Sequence, residues 1–381
     1  MSMKKISILS LSTVTGAATA ITTIIPLMVI AFPNQSQAAV ESLVTIASLS
    51  ALVTIVFNDC FTRRLGVKKT ILLGLIGAII FGIMPYFLTD FYAILASRIL
   101  LGLAIGLYSP HAISLISLSY SGQERTTLLG MQMGISGLGN AIFLFAAGIL
   151  AAITWQTTFF VYLLIACVAL LVFRFVPEVD LPIARKNTPS TPINIPVLTY
   201  SLLCFITFLI FWGVQLKLPS LLVEKGIVAS EASGLILGTM NIAGMLAGFA
   251  FGSCYRKVQT LLLPIGFIGA AVFIFSMVYL DGFVSLLIVV NCYNFIFSFT
   301  GPTIVLKVNQ HALDHQLTQA NSMVTTATIL SSFVAPFVWN PISEWVGAGD
   351  QASLTLMIVG FSALWVGLVL LAIYRPRSAR R

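Results

Sequence analysis

Residues 39–89 read AVESLVTIASLSALVTIVFNDCFTRRLGVKKTILLGLIGAIIFGIMPYFLT. Two nearly uncharged runs, 39–60 and 69–89, flank a short segment carrying Arg63, Arg64, Lys68 and Lys69. Each run is about the 20 residues that an α-helix needs to cross a hydrocarbon core. Two such helices joined by a basic loop form a membrane hairpin, because loops that stay cytoplasmic collect Lys and Arg.

The rest of the chain repeats this reading. Further runs fall at 7–30, 92–120, 127–152, 157–176, 197–222, 231–254, 260–281, 283–307, 319–343 and 351–374, which makes twelve predicted spans. Of the 381 residues, 58% are apolar and 8% charged, against about 25% charged in soluble domains. That balance excludes an ordinary soluble enzyme and a disordered chain. Twelve spans with short connections use the whole length and leave none for a soluble domain. MSMKK followed by an apolar run and SQAA imitates a secretory signal. The 27 uncharged residues from Ile6 to Phe32 exceed a signal core, so they read as the first span.

Counting Lys and Arg tests the topology. With a cytoplasmic N-terminus, 17 of the 20 fall in cytoplasmic segments, Lys217 and Lys225 fall outside, and Arg98 is left within a span. One missed or invented helix would reverse every later loop, so this asymmetry supports both the count and cytoplasmic termini. The formal charge of +8 therefore reads as orientation, with no nucleic-acid partner implied. Cys60, Cys167, Cys204, Cys254 and Cys292 lie in or beside apolar runs without metal or redox spacing and read as buried packing thiols. No metal or other cofactor is expected.

The one polar, proline-rich connection runs from Pro177 to Pro196. It divides the chain into an N-terminal six-helix bundle (1–176), a cytoplasmic linker (177–196) and a C-terminal six-helix bundle (197–381). FNDCFTRR (Phe57 to Arg64) and FGSCYRK (Phe251 to Lys257) close the second and eighth spans, a weak repeat at equivalent places. Duplicated bundles that hold substrate near the midplane are a recurrent transporter architecture.

Three segments carry a family resemblance. TRRLGVKKTILLG resembles the cytoplasmic loop motif G-x-x-x-D-R-x-G-R-K, with Arg64, Gly66, Lys68 and Lys69 on its second half. ASRILLGLAIG in span four resembles an R-x-x-x-G motif, with Arg98 and Gly102 on it. IIPLMVIAFP resembles the usual exit from span one. The chain is thus similar to twelve-helix transporters of the major facilitator superfamily, and within them to the drug:proton antiporters. The motif's acid is missing from its place, where Arg63 or Thr62 falls, and Asp59 one turn earlier is a substitute. The antiporter motif of span five aligns on Phe143-Leu144 and Ala147-Gly148 without its Gly-Pro pair. The resemblance implies an all-α integral membrane fold, a central cavity ringed by spans one, four, seven and ten, a bacterial inner-membrane location, protons as coupling ion and a monomer.

Arg98 is the most informative single residue, since a guanidinium inside a bilayer is costly unless it finds water, an acid or carbonyls. It reads equally as a cavity cation and as an interhelical staple. Arg98, Gly102, Gly106 and Ser109 share one helix face, where small residues permit close packing. His111 is the only histidine in a span and lies about 220° around the helix from Arg98, so it reads as a satisfied, non-titrating side chain. Glu41 and Asp59 open and close span two and are the carboxylates available for coupling. Arg98, Glu41, Asp59 and His111 are therefore the proton-coupling candidates. Thr15, Thr19, Thr22 and Thr23 stripe span one, and most read as bonded to their own helix. Amides and rings elsewhere complete the cavity candidates: Thr19, Arg98, Trp212, Gln215, Asn241, Asn291 and Asn294.

Such a cavity suits a largely apolar molecule with a few polar or anionic groups and lacks the acid a cation would want. HExxH, GxSxG and a phosphate-binding loop are missing, so the chain reads as a transporter and not an enzyme. The expected activity is export of small amphipathic molecules by proton antiport. The alternatives are uptake of a small organic anion and lipid flipping.

Overall fold

The computed structural model describes residues 3–14, 16–176, 178, 194–227, 230–313, 316–347 and 351–374. Among these the chain is helical, without strands. The α-helices are α1 (Met3–Thr13), α2 (Ile25–Ala31), α3 (Gln37–Leu65), α4 (Val67–Ile83), α5 (Phe91–Tyr108), α6 (His111–Ser119), α7 (Gly122–Ala151) and α8 (Leu164–Phe175). There follow α9 (Ile195–Glu224), α10 (Ser230–Val258), α11 (Leu262–Tyr279), α12 (Phe283–Phe297), α13 (Thr300–His311), α14 (Leu317–Val346) and α15 (Ala352–Tyr374). In lipid no water can satisfy backbone amides, and a helix satisfies them within itself.

Eleven helical segments among the described residues are long and apolar enough to cross a bilayer. The first segment, α1 with Ala17–Ala31, bends by 42° and brings the number to as many as twelve. The fold is thus an all-α integral membrane fold of the kind expected. Three predicted spans are interrupted. The first passes through a 3-10 stretch, Ala17–Ile24; the fourth divides at Ser109-Pro110; the tenth divides at Ser298-Phe299.

The chain forms two compact units, Met1–Lys186 with Ala229–Asn241, and Asn187–Val228 with Ile242–Arg381. The expected division placed all of 197–381 in the second. The beginning of α10 groups with the first unit because it packs on α7: a Cβ on Gly234 would lie 2.7 Å from Gly148 Cα, and one on Gly238 would meet the Phe145 ring at 2.5 Å. Most of the linker, 177 and 179–193, lies outside the described residues.

In the first unit α5 runs against α3 at the small-residue face noted in the sequence. A methyl on Gly102 would strike Ser50 Oγ and the Ala47 carbonyl, and one on Gly106 would meet Thr54 Cβ at 2.7 Å. Lipid supplies no hydrophobic drive between helices, so backbone approach and van der Waals packing hold this pair. At the end of α3, Gly66 has φ 84° and ψ 158°, a conformation nearly confined to glycine. Two residues after the equivalent basic pair of the second half, Gln259 is the only non-glycine of positive φ among the described residues, at 52°. In both halves a residue of positive φ thus stands two residues after the basic pair.

Two cysteines correct the sequence reading. Cys60 and Cys167 are exposed rather than buried. Both sit on helix faces whose apolar residues turn outward, so their apolar surroundings are provided by the bilayer and not by a protein core.

Gly102→Val is expected to destabilise the first unit by about 1–3 kcal/mol, the usual cost of overpacking. Gly248, with nothing within 4 Å of an added Cβ, supplies the control. Thermal unfolding of detergent-purified protein should show a lower midpoint for Gly102→Val and none for Gly248→Ala.

Candidate functional site

Arg98 is fully buried. Its Nε donates to the Leu43 carbonyl at 3.0 Å, one terminal nitrogen to Tyr162 Oη at 2.5 Å and the other to the Ala18 carbonyl at 2.7 Å. Its guanidinium carbon also stands 5.6 Å from the centre of the Tyr162 ring. The three acceptors come from α3, from the 3-10 segment before α8 and from the broken first span. Of the two readings left open by the sequence, this geometry is that of an interhelical staple.

The other coupling candidates are dispersed. Glu41 is buried at 1% exposure near the start of α3, and Gln37 Nε2 donates to its Oε1 at 3.2 Å. Asp59 is exposed near the opposite end of the same helix. Among the described residues no ion pair joins it to Arg63, Arg64, Lys68 or Lys69, so it does not take the pairing role of the missing motif acid. His111 is 2% exposed, with Nε2 3.5 Å from Thr62 Oγ1.

Asn58, passed over in the sequence, explains the ground on which His111 stands. Pro110 has no N–H to give the Gly106 carbonyl four residues back. Asn58 Nδ2 donates to that carbonyl at 2.9 Å and to the Leu107 carbonyl at 3.0 Å. Its Oδ1 accepts from Thr62 Oγ1 at 3.0 Å. A proline inside a long apolar run was the available signal, since it implies a released carbonyl that some amide must meet.

Among the cavity candidates, Thr19 and Asn241 are brought together through a residue the sequence reading missed. Thr19 Oγ1 lies 2.8 Å from both Asn140 Oδ1 and the Gly16 carbonyl, which share its one proton, and Asn140 Nδ2 donates to Asn241 Oδ1 at 2.6 Å. Asn241 Nδ2 donates back to the Leu237 carbonyl at 2.9 Å. This neutral relay links the first span, α7 and α10 within the first unit. Asn140 stands alone as an amide in SGLGNAIFLFAAG, and that isolation was the legible signal. Thr22 and Thr23 bond to their own helix carbonyls as expected; Thr15 lies outside the described residues.

The second unit gathers fewer of its candidates. Trp212 and Gln215 are buried on α9. Asn291 donates to the Leu287 carbonyl of its own helix at 2.7 Å. Asn294 packs on α10, where a Cβ on Gly244 would lie 2.7 Å from its Nδ2.

Lys217 requires a correction. The sequence reading put it in an outer loop, but it lies inside α9 at 2% exposure, and its ammonium donates to Asn340 Oδ1 of α14. The predicted span 197–222 already contains Lys217, and the helix runs unbroken through Pro219 to Glu224, so the charge count had assigned to the outer side a lysine that lies within the span. Among the described residues two cations are therefore buried within spans, Arg98 and Lys217.

The loop motif is arranged for the membrane edge. Arg63 and Arg64 occupy the last turn of α3, where cations suit the helix dipole. Lys69 is exposed at the start of α4, and Lys68 Nζ lies 5.7 Å from the centre of the Phe173 ring of α8.

Comparison with known proteins places this helical fold. The Major Facilitator Superfamily profile matches residues 8–336, and the chain belongs to that superfamily. It is a membrane transporter and not an enzyme. Similar solved structures include a point mutant of the nucleoside transporter NupG, with TM-score 0.79, 12% identity and coverage of 98% of this chain and 100% of that one. A point mutant of the peptide transporter POT gives 0.76, 11%, 97% and 93%. A bacterial homolog of the human lysosomal transporter Spinster gives 0.75, 13%, 97% and 94%. At these identities the likeness is one of fold. No curated protein matches by sequence.

Two outcomes test the buried cations. Arg98→Lys keeps the charge but cannot reach three acceptors spread over a planar fork; with charged hydrogen bonds worth about 1.5–3 kcal/mol each, it should lose roughly 3 kcal/mol or more in detergent unfolding. Asn340→Leu removes an acceptor from a buried ammonium and should cost about 3–5 kcal/mol. The double variant Lys217→Met/Asn340→Leu should unfold at higher denaturant than Asn340→Leu alone.

Proposed function

We propose that the chain is a secondary active transporter that exports small amphipathic organic molecules in exchange for protons, by rocking-bundle alternating access. The observation that carries this reading is the Thr19–Asn140–Asn241 relay. Half-buried hydroxyls and amides on apolar helices hold their polar atoms by bonding one another. A solute with a few polar groups can exchange those bonds without bringing an opposite charge.

Glu41 is the coupling group of this proposal. It is a carboxyl buried in a span and bonded to the neutral amide of Gln37, and an ionisable group at that depth is by default a functional one. Arg98 has its donors committed to three acceptors, and Asp59 is exposed at a helix end.

Lys217 favours a second reading, uptake of a small organic anion. A buried ammonium on the seventh span is a group an anion would seek.

Proteoliposomes carrying a pH dye distinguish the two. On antiport, adding substrates from a panel of toxic amphipathic compounds moves protons. Glu41→Gln then slows proton movement about tenfold or more, equivalent to about 1.4 kcal/mol per factor of ten, while counterflow of labelled substrate persists. Asn140→Ala lowers both. Flux that ignores a pH gradient and stops in Lys217→Met would establish anion uptake instead.

A further inference from the structure

The outer face of the first unit carries a groove that neither the polar relay nor the buried cations explain. Its volume is about 560 Å³, and its lining includes Val53, Phe57 and Cys60 of α3, Leu73 and Gly77 of α4 and Leu103 of α5. That volume lies in the range of built small-molecule sites, about 300–1,000 Å³. The recess exists because Gly77 has no side chain where its Cβ would stand 3.1 Å from Ala104 Cβ. The surface beside it is apolar and outward-facing, with Val56, Phe57 and Ile80 all more than half exposed. A polar solute gains nothing there.

Two cations stand one helical turn beyond the groove's uncharged lining. On α3, Val53, Phe57, Cys60 and Arg64 are spaced by 4, 3 and 4 residues, so Arg64 continues the lining stripe by one turn. On α4, Lys69 precedes Leu73 by one turn on the outward side. Both cations are exposed, whereas Lys68 is turned to the Phe173 ring. The loop stays net positive when Asp59 is counted. An apolar slot with two cations one turn beyond it at a membrane edge complements one kind of molecule in shape and charge.

We propose that this groove binds an anionic phospholipid of the leaflet facing the basic loop, with an acyl chain in the slot and the phosphate on Arg64 and Lys69. Basic residues at a membrane surface favour anionic headgroups, and two of them give a preference of roughly tenfold or more over a zwitterionic lipid. Gly77 makes the chain-binding half and the two cations make the headgroup half.

The test uses the full chain in phosphatidylcholine vesicles doped with phosphatidylglycerol or phosphatidylcholine carrying a diazirine in one acyl chain. After irradiation, adducts are mapped to peptides. The proposal expects phosphatidylglycerol adducts concentrated on 53–61 and 73–81, roughly tenfold above the phosphatidylcholine probe. Arg64→Gln/Lys69→Gln should bring the two probes level, and Gly77→Leu should lower both. Should a variant fail to fold, the wild-type chain in about 1 M salt, where screening acts within about 3 Å, must lose the headgroup preference. Equal labelling by the two headgroups, adducts spread over all outward helix faces, or a preference untouched by both the charge variant and salt would overturn it.

Discussion

The guanidinium of Arg98 is the interaction on which the first unit depends. It is enclosed among helices and reaches the Leu43 carbonyl, the Ala18 carbonyl and the Tyr162 hydroxyl at once. A guanidinium spreads its donors over a planar fork and so meets acceptors on three segments that are too far apart for one compact ammonium. The bilayer makes this arrangement obligatory, because a cation left without partners in hydrocarbon is among the costliest groups a helix can carry. The charge thus fixes where the first span, α3 and the segment before α8 must stand relative to α5. The glycines at 102 and 106 on the same helix then let α3 approach closely enough for Leu43 to be reached.

The broken first span follows from the same economy of hydrogen bonds. Where α1 ends and the chain tightens into the 3-10 stretch, helix carbonyls lose regular partners. Helix α5 supplies two replacements: Tyr108 Oη donates to the Val14 carbonyl at 2.8 Å, and Arg98 donates to Ala18. Asn58 performs the equivalent service at the Pro110 break. In the second unit Trp339 Nε1 and Asn340 Nδ2 donate to the Leu209 and Pro336 carbonyls, each at 2.8 Å, as added bonds within the continuous helices α9 and α14. Irregular backbone at membrane depth is tolerated because side chains re-satisfy it. This separates the polar residues into two populations. Most serve carbonyls alone, and the Thr19–Asn140–Asn241 relay adds side-chain bonds between three segments to the carbonyl bonds that Thr19 and Asn241 also make. The second population is the one a solute can compete with.

The fold was legible because its signals are long and redundant. A run of 20 apolar residues is hard to mistake, and each basic loop checks the count of the spans before it. The site was less legible, because a side chain's role depends on which helix faces it and periodicity gives only its own face. The sequence isolated Arg98 but could not choose between cavity and staple, since Ala18, Leu43 and Tyr162 lie 80, 55 and 64 residues away. Lys217 was misplaced for a related reason. Near the end of a span a lysine looks the same whether it enters solvent or turns inward to an amide, and Asn340 is 123 residues distant. Asn58 and Asn140 were missed because a lone amide carries no pattern until its partner is known.

The two buried cations also differ in what holds them, although the two halves share a weak sequence repeat. The repeat survives at the helix ends, where Phe-x-x-Cys-aromatic and a basic pair precede a residue of positive φ in both halves. It does not survive inside. Arg98 is on the fourth span and binds backbone carbonyls, whereas Lys217 is on the seventh, the counterpart of the first, and binds an asparagine side chain. A guanidinium cannot be deprotonated in proteins, so Arg98 is suited to permanent scaffolding. An ammonium held by a neutral amide is a compact charge whose partner can be exchanged. The half-transporters thus share their boundaries, where topology constrains both alike, and diverge in their interiors, where one cation organises backbone and the other is paired with a replaceable side chain.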